Sequence, residues 1–191
     1  MIVHEQAQRQ SGCGRRIRLM FQDEGRFGRI NSPRRCWAPE GLRPEVQVQV
    51  VREYVYAYAA ISPHDGVMDS LILPVVNTEA MSIFLEEVAA RHSEEYIVMV
   101  MDQASWHKAN ALRIPENMSL VWQPPYSPQC NPVEHIWEEI REKWFPNLVF
   151  KNLDGVVDTL AGALATLEND WVRTQSITGF DWIVSLSLKA T

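Results

Sequence analysis

An α/β fold, a mixed sheet with helices on both faces, follows from three features of this sequence. Residues 17–76 hold a succession of Val-, Tyr- and Ile-rich segments broken by glycine and proline, with no helical period among them. Tyr96 to Met101 is an almost unbroken apolar run, the pattern of a central strand buried on both faces. Amphipathic segments between and after these strands supply the covering helices. At 191 residues the chain fits one domain with a substantial core.

Taken in order, residues 1–16 are polar, carry Gly12 and Gly14, and read as a linker or tail ahead of a domain over 17–191. Ile17 to Asp23 is a strand, and Glu24 to Arg29, with Gly25 and Gly28, has the look of a hairpin turn. Ile30 to Ala38 returns as a second strand, made irregular by Pro33. Val46 to Val51 and Tyr54 to Ile61 read as two further strands. Ser62 to Gly66 is a turn and Val67 to Val76 another strand. From Asn77 to His92 the period changes: Ala80, Met81, Phe84, Leu85, Val88 and Ala89 share one helical face, with Asn77 or Thr78 as N-cap. After Tyr96–Met101 come an irregular stretch to Arg113, a short strand from Ser119 to Gln123, and a proline-rich loop. Helices follow over Pro132–Phe145 and Leu153–Trp171. Ile177 to Leu188 fits a helix or a strand equally well.

Composition narrows the function classes. No run reaches the length of a membrane span and the N-terminus lacks a signal peptide's apolar stretch, so the expectation is a cytoplasmic protein with no membrane partner. Cys13, Cys36 and Cys130 are scattered, which indicates neither a zinc site nor a disulfide framework. Net charge is −6, but it is unevenly spread: residues 1–52 hold 10 Lys/Arg against 5 Asp/Glu, and residues 53–191 hold 8 against 19. Arg15, Arg16, Arg18, Arg26, Arg29, Arg34 and Arg35 form a band in which guanidinium forks suit phosphate, with Arg26, Arg29, Arg34 and Arg35 the candidate DNA-backbone contacts. The competing explanation is a salt-bridged surface. The acidic total argues against strong DNA binding by this chain alone.

Three carboxylates are the candidate chemistry. Asp23 and Asp102 each close an apolar run, and Glu134 opens a helix behind a proline loop. Hard oxygen ligands gathered this way hold Mg²⁺ or Mn²⁺. Each has a plain structural alternative: Asp23 and Asp102 as turn residues, and Glu134 as the N3 residue of a capping box begun by Asn131. Only one of Asp23 and Glu24 can follow the strand's inner face. Glu24, Gln103, His107 and Asn131 are candidate supporting residues, His107 by orienting a phosphate or a water. Glu138, with Glu139, Arg141 and Glu142, reads as solvated helix surface.

The motifs F-Q-D-E-G-R-F-G with R-R-C-W-A-P-E-G-L-R-P (Phe21 to Gly28, Arg34 to Pro44), M-D-Q-A-S-W-H-K (Met101 to Lys108) and Q-P-P-Y-S-P-Q-C-N-P-V-E-H-I-W (Gln123 to Trp137) together resemble a DDE-superfamily transposase or endonuclease catalytic domain. The similarity is to the bacterial insertion-sequence branch related to mariner elements. It implies a ribonuclease H-like fold and two Mg²⁺ or Mn²⁺ ions, Asp23 bridging them and Asp102 and Glu134 each anchoring one. It also implies cleavage and strand transfer of DNA, transposon ends and target alike, by a homo-oligomer. Gln103 stands where many relatives have Asn or Gly. Relatives carry an N-terminal helix-turn-helix for which this chain has no room, so a separate helix-turn-helix subunit is an expected partner. The rival expectations are a silent or regulatory transposase remnant and another ribonuclease H-like nuclease.

Overall fold

The computed structural model describes residues 15–31, 33–125 and 127–185. The tail through residue 14 and the final part of the Ile177–Leu188 segment lie outside these. Five strands form one sheet: β1 (Arg16–Ile30), β2 (Val50–Ile61), β3 (Met68–Leu73), β4 (Glu95–Met101) and β5 (Met118–Trp122). The helices are α1 (Thr78–Arg91), α2 (Val133–Lys143), α3 (Leu153–Asn169), α4 (Trp171–Thr178) and α5 (Asp181–Val184), with a 3₁₀ turn over Pro128–Cys130. The sheet order is β3-β2-β1-β4-β5. β1 to β3 are antiparallel neighbours, whereas β4 and β5 run parallel to β1.

Strand alternation divides the core into two layers. Met20, Tyr58 and Ala60 face α1, where Met81, Phe84, Leu85 and Val88 meet them. Leu19, Phe21, Ala57 and Ala59 face the other way, onto Ile136, Trp137 and Ile140 of α2 and Val156, Leu160, Leu164 and Leu167 of α3. Both faces are therefore helix-covered, as the periodicity predicts. Asn77 caps α1, its side chain accepting from the Ala80 N–H at 2.8 Å, an interaction typically worth about 1 kcal/mol.

The N-terminal third departs from the sequence reading. Glu24 to Arg29 is no turn: β1 continues through it, and Asp23 sits mid-strand opposite Ala59. The glycines serve packing. A Cβ on Gly25 would stand 2.8 Å from both Phe27 Cε2 and Trp137 Cδ2, and one on Gly28 would stand 2.5 Å from the Glu53 carbonyl. The expected strand over Ile30–Ala38 does not form, and of Val46–Val51 only the last two residues enter β2. Asn31 instead ties the two sides of this loop: its amide donates to the Gln47 carbonyl at 2.8 Å and its Oδ1 accepts from the Gln49 N–H at 2.7 Å.

Candidate active site

Register brings the first two carboxylates level. Phe21 pairs with Val100 across the parallel β1–β4 ladder, so Asp23 and Asp102, each two residues further on, arrive side by side at neighbouring strands about 4.8 Å apart. Glu134 comes from the opposite direction, on the first turn of α2. Asp23, Asp102 and Glu134 line one cleft of about 530 Å³, with Gln103, Lys108 and Asn131 around them. Glu24 follows the other face of β1 and takes no part in this lining.

Contacts from the proline loop fix how α2 meets the sheet. Asn131 is buried, and its amide donates to the Gln22 carbonyl at 3.0 Å, one residue before Asp23. Its Oδ1 accepts from the Val133 N–H at 3.2 Å. Its own N–H donates to the Pro128 carbonyl at 2.8 Å. That bond occupies the donor a capping-box glutamate would seek, and α2 begins at Val133 without a side-chain cap of that kind. The capping explanation for Glu134 is thereby weakened. Trp137, one turn along α2 and almost fully buried, donates its indole N–H to Asp23 Oδ2 at 2.8 Å. Sequence reading takes Trp137 as core alone; nothing in its spacing announces the polar task of its indole nitrogen.

The electrostatics are those of an uncompensated acid. Burial, followed by the nearby negative charge of Glu134, pushes the Asp23 carboxyl up to about 7, although the Trp137 hydrogen bond pulls it down. Arg141 is the cation that feels both acids. Burial lowers its pKa, the charges of Glu134 and Asp23 act against that, and Arg34 repels it. Its guanidinium lies 5.1 Å above the Phe27 ring, so Arg141 is no ordinary solvated residue, contrary to the sequence reading. Among the described residues, no three His, Cys, Asp or Glu side chains close on a single point to cage one ion. The acids instead stand around the cleft, and their donor set, all hard oxygen, fits divalent cations shared between pairs of carboxylates.

The remaining expected residues divide. His107 is buried between Glu24 and Asp102, with Nε2 2.9 Å from Glu24 Oε1 and Nδ1 2.8 Å from Asp102 Oδ1. Gln103 donates to the Gln123 carbonyl at 2.7 Å and accepts from Lys108, which braces the cleft wall. Arg29 is engaged by Glu53 at 2.7 Å and by the Phe150 carbonyl at 3.1 Å, and Arg34 by Glu142. Arg18 is enclosed by Glu95 and Asp65 well down β1, away from the cleft. The arginine band is thus not one surface. Arg26, stacked 5.2 Å from the Tyr54 ring, and Arg35 are exposed.

Sheet order, two-sided helix cover and a carboxylate cleft at the β1–β4 edge define a ribonuclease H-like domain. The chain belongs to the DDE superfamily endonuclease family, whose model matches residues 18–156. A Sinorhizobium fredii protein, y4pE/y4sA, described as uncharacterised, is 34% identical over 130 residues, spanning 68% of this chain and 96% of that protein. Among solved structures, a pre-cleavage Mos1 transpososome superposes with a TM-score of 0.61 at 14% identity, over 96% of this chain. A Mos1 mariner paired-end complex with Mn gives 0.58 at 16% identity over 94%. At those identities the likeness is one of fold. The chain spans about three fifths of those transposase chains, 59% and 60% of their lengths. Among the described residues, no helix is long and apolar enough to cross a membrane.

Proposed function

We propose that this chain is the catalytic domain of a DDE transposase, cleaving DNA phosphodiesters and transferring the freed 3′ end with the help of two Mg²⁺ or Mn²⁺ ions. The observation that carries the reading is the charge imbalance at the cleft. Asp23 and Glu134 repel one another in a partly dry setting, and a cation between them would relieve that repulsion. In the proposed arrangement Asp23, Asp102 and Glu134 would hold the ions. Bound there, the ions would activate a water or a 3′-hydroxyl and neutralise charge on the attacked phosphate.

The protein's own part is placement. Trp137 holds Asp23 Oδ2 where Asp23 lines the cleft. Asn131 pins the start of α2 to β1, which sets the distance from Glu134 to Asp23. Lys108, which lines the cleft, and the exposed Arg26 and Arg35 suit a DNA backbone. The Mos1 structures are described as complexes with a transposon end and as a strand-transfer complex. By analogy, transposon ends and target DNA are the proposed substrates here, handled by a homo-oligomer. Recognition of the ends is assigned to a helix-turn-helix from elsewhere, in a longer chain or a separate subunit.

The test is Mn²⁺-dependent nicking of a supercoiled plasmid and of labelled duplexes, alongside Mn²⁺ binding by calorimetry. Binding by the parent protein, abolished together with nicking in Asp23→Asn, is expected. Metal-independent nicking, or nicking that survives Asp23→Asn, would refute the assignment.

A further inference from the structure

Asp102 differs from its two partners in exposure. Its side chain is 54% exposed, it lies one residue beyond the end of β4, and a carboxylate so placed has several rotamers open to it. Yet its Oδ1 accepts from the Ala104 N–H at 2.9 Å and lies 2.8 Å from His107 Nδ1, which also meets the Asp102 carbonyl oxygen at 3.3 Å. Among the described residues, Oδ2 has no hydrogen-bond partner. The carboxylate is therefore presented with one oxygen anchored and one free.

His107 is itself held from the far side. Its ring is 1% exposed, and Nε2 meets Glu24 Oε1 at 2.9 Å across a sequence separation of 83 residues. Trp106, its neighbour, directs its indole N–H to the same Glu24 oxygen at 3.4 Å. The Trp106 carbonyl accepts from Thr78 Oγ1 at 3.2 Å, which ties the turn to the first turn of α1. The His107 N–H donates to the Ala104 carbonyl at 3.0 Å and closes the turn on itself. With Glu24 Oε1 at Nε2 and oxygens of Asp102 at Nδ1, both ring nitrogens face oxygens, and the ring orientation is fixed in both directions.

Glu24 is thus adjacent in sequence to Asp23 but works on the opposite face of β1, where its partner is the loop that carries Asp102. We infer that Glu24 and His107 form a strut that positions Asp102: the first strand carries one carboxylate on one face and, from the next residue, braces the second carboxylate through an imidazole on the other. Asp-Glu at 23–24 and the Asp-x₄-His spacing at 102–107 are then two halves of one device. This inference rests on the proposed metal site for its purpose, but the strut itself is a property of the metal-free chain. Groups that orient metal ligands in this manner typically change metal affinity about 10- to 100-fold when removed.

The strut is tested in the full chain with His107→Ala, His107→Gln and Glu24→Ala, each checked for folding by circular dichroism and melting. Without metal, amide hydrogen exchange should rise at residues 103–108 in His107→Ala while residues 97–100 of β4 stay protected. With Mn²⁺, affinity measured by calorimetry should fall about 10- to 100-fold in His107→Ala. His107→Gln retains a donor for only one of the two carboxylates and should fall between parent and alanine; it also serves if the alanine variant does not fold. Glu24→Ala should weaken binding less than His107→Ala, and the double variant should be no worse than His107→Ala alone. In an Asp102→Asn background the His107 substitution should add no further loss, which separates positioning from general destabilisation. Unchanged exchange at 103–108 in a folded His107 variant would overturn the strut. So would an affinity loss of equal size with Asp102 and with Asn at that position. A parent protein that binds no Mn²⁺ but shows the exchange effect would retain the strut and overturn the metal-site reading instead.

Discussion

β1 carries two charged clusters, five residues apart and therefore about 17 Å from each other along the strand, and they are built on opposite rules. At the lower one, Arg18 is 9% exposed and lies between Glu95 and Asp65, the latter at 2.9 Å. His92 continues the network to Asp69 at 2.7 Å and to Glu95 at 3.2 Å, and Arg91 reaches Asp69 at 3.3 Å. Every acid there has a cation. At the upper cluster Asp23 has an indole, Glu134 has no such partner among the described residues, and Arg141, whose charge feels both acids, lies against Phe27. Balanced charge holds strands and turns together; unbalanced charge costs stability unless something absent from the chain completes it.

The largest effect should come from removing the unbalanced acids. Asp23→Asn and Glu134→Gln are each expected to lower Mn²⁺-dependent nicking by on the order of 10³-fold or more, since charge stabilisation of several kcal/mol is at stake. Glu134→Gln should change urea-unfolding stability by about 1 kcal/mol or less. Glu138→Gln, one turn on and facing solvent, should leave nicking near the parental rate. A nicking-competent Glu134→Gln would erase the distinction between the clusters. Next in size is the lower cluster. Arg18→Met leaves Asp65 and Glu95 without their shared cation and should destabilise the chain by about 3 kcal/mol in urea, while Mn²⁺ binding by the folded fraction stays intact.

The two clusters should also respond to pH with opposite signs. The Ser62 hydroxyl and Arg18 outweigh burial and hold the Asp65 carboxyl below its usual range, so it contributes stability above about pH 4 that is lost as pH falls. Asp23 is raised from 3.8 to about 7, so the folded chain binds the extra proton and metal-free stability declines as pH rises from 4 to 7. The expected decline is roughly 2–4 kcal/mol. His107 adds a decline in the same direction at higher pH: burial lowers its pKa, but the hydrogen bond and charge of Glu24 and the charge of Asp102 together raise it by more. Urea titrations at intervals from pH 3 to pH 8 in a chelator decide the matter. Asp23→Asn should flatten the curve between pH 4 and 7 and raise metal-free stability near neutrality, even as it abolishes nicking. A parental slope in Asp23→Asn would mean that Asp23 is not the strained group.

The residues that sequence reading placed correctly are those whose signals are local. Asn77 caps α1, Tyr96–Met101 is the buried strand, and Ala80 to Ala89 form a helical face because each signal lies within a few residues of its consequence. The failures share a different cause. Gly25 and Gly28 read as a turn because glycine is the usual turn residue, whereas their role is to let Trp137 and Glu53 approach, and neither partner is near in sequence. The same long-range packing brings α2 over β1, so the error about the hairpin and the silence about the Trp137–Asp23 bond have one origin. The three carboxylates were legible as candidates from their flanking runs, but their common cleft depends on the parallel register of β1 and β4, which no local pattern encodes.

The smallest effects concern the arginines, where the comparison extends to DNA. Arg29, paired with Glu53 and the Phe150 carbonyl, and Arg34, paired with Glu142, resemble the balanced cluster, while Arg26 and Arg35 are exposed. With net charge −6, the 191-residue chain should bind duplex DNA weakly and without preference for transposon ends. Affinity at low salt should fade by about 0.15 M, where the screening length is about 8 Å. Within that weak binding, Arg26→Ala and Arg35→Ala should each lower the slope of log affinity against log salt by about 1, as expected when one phosphate fewer is neutralised. Arg29→Ala should leave the slope unchanged, because releasing Glu53 removes an internal pair and leaves the strand's own partners in place. A fluorescence-anisotropy salt series on end-derived and scrambled duplexes reads both quantities. An equal slope change in all three variants would show that DNA outcompetes the internal partners, and that pairing within the free chain does not predict which charges the strand will use.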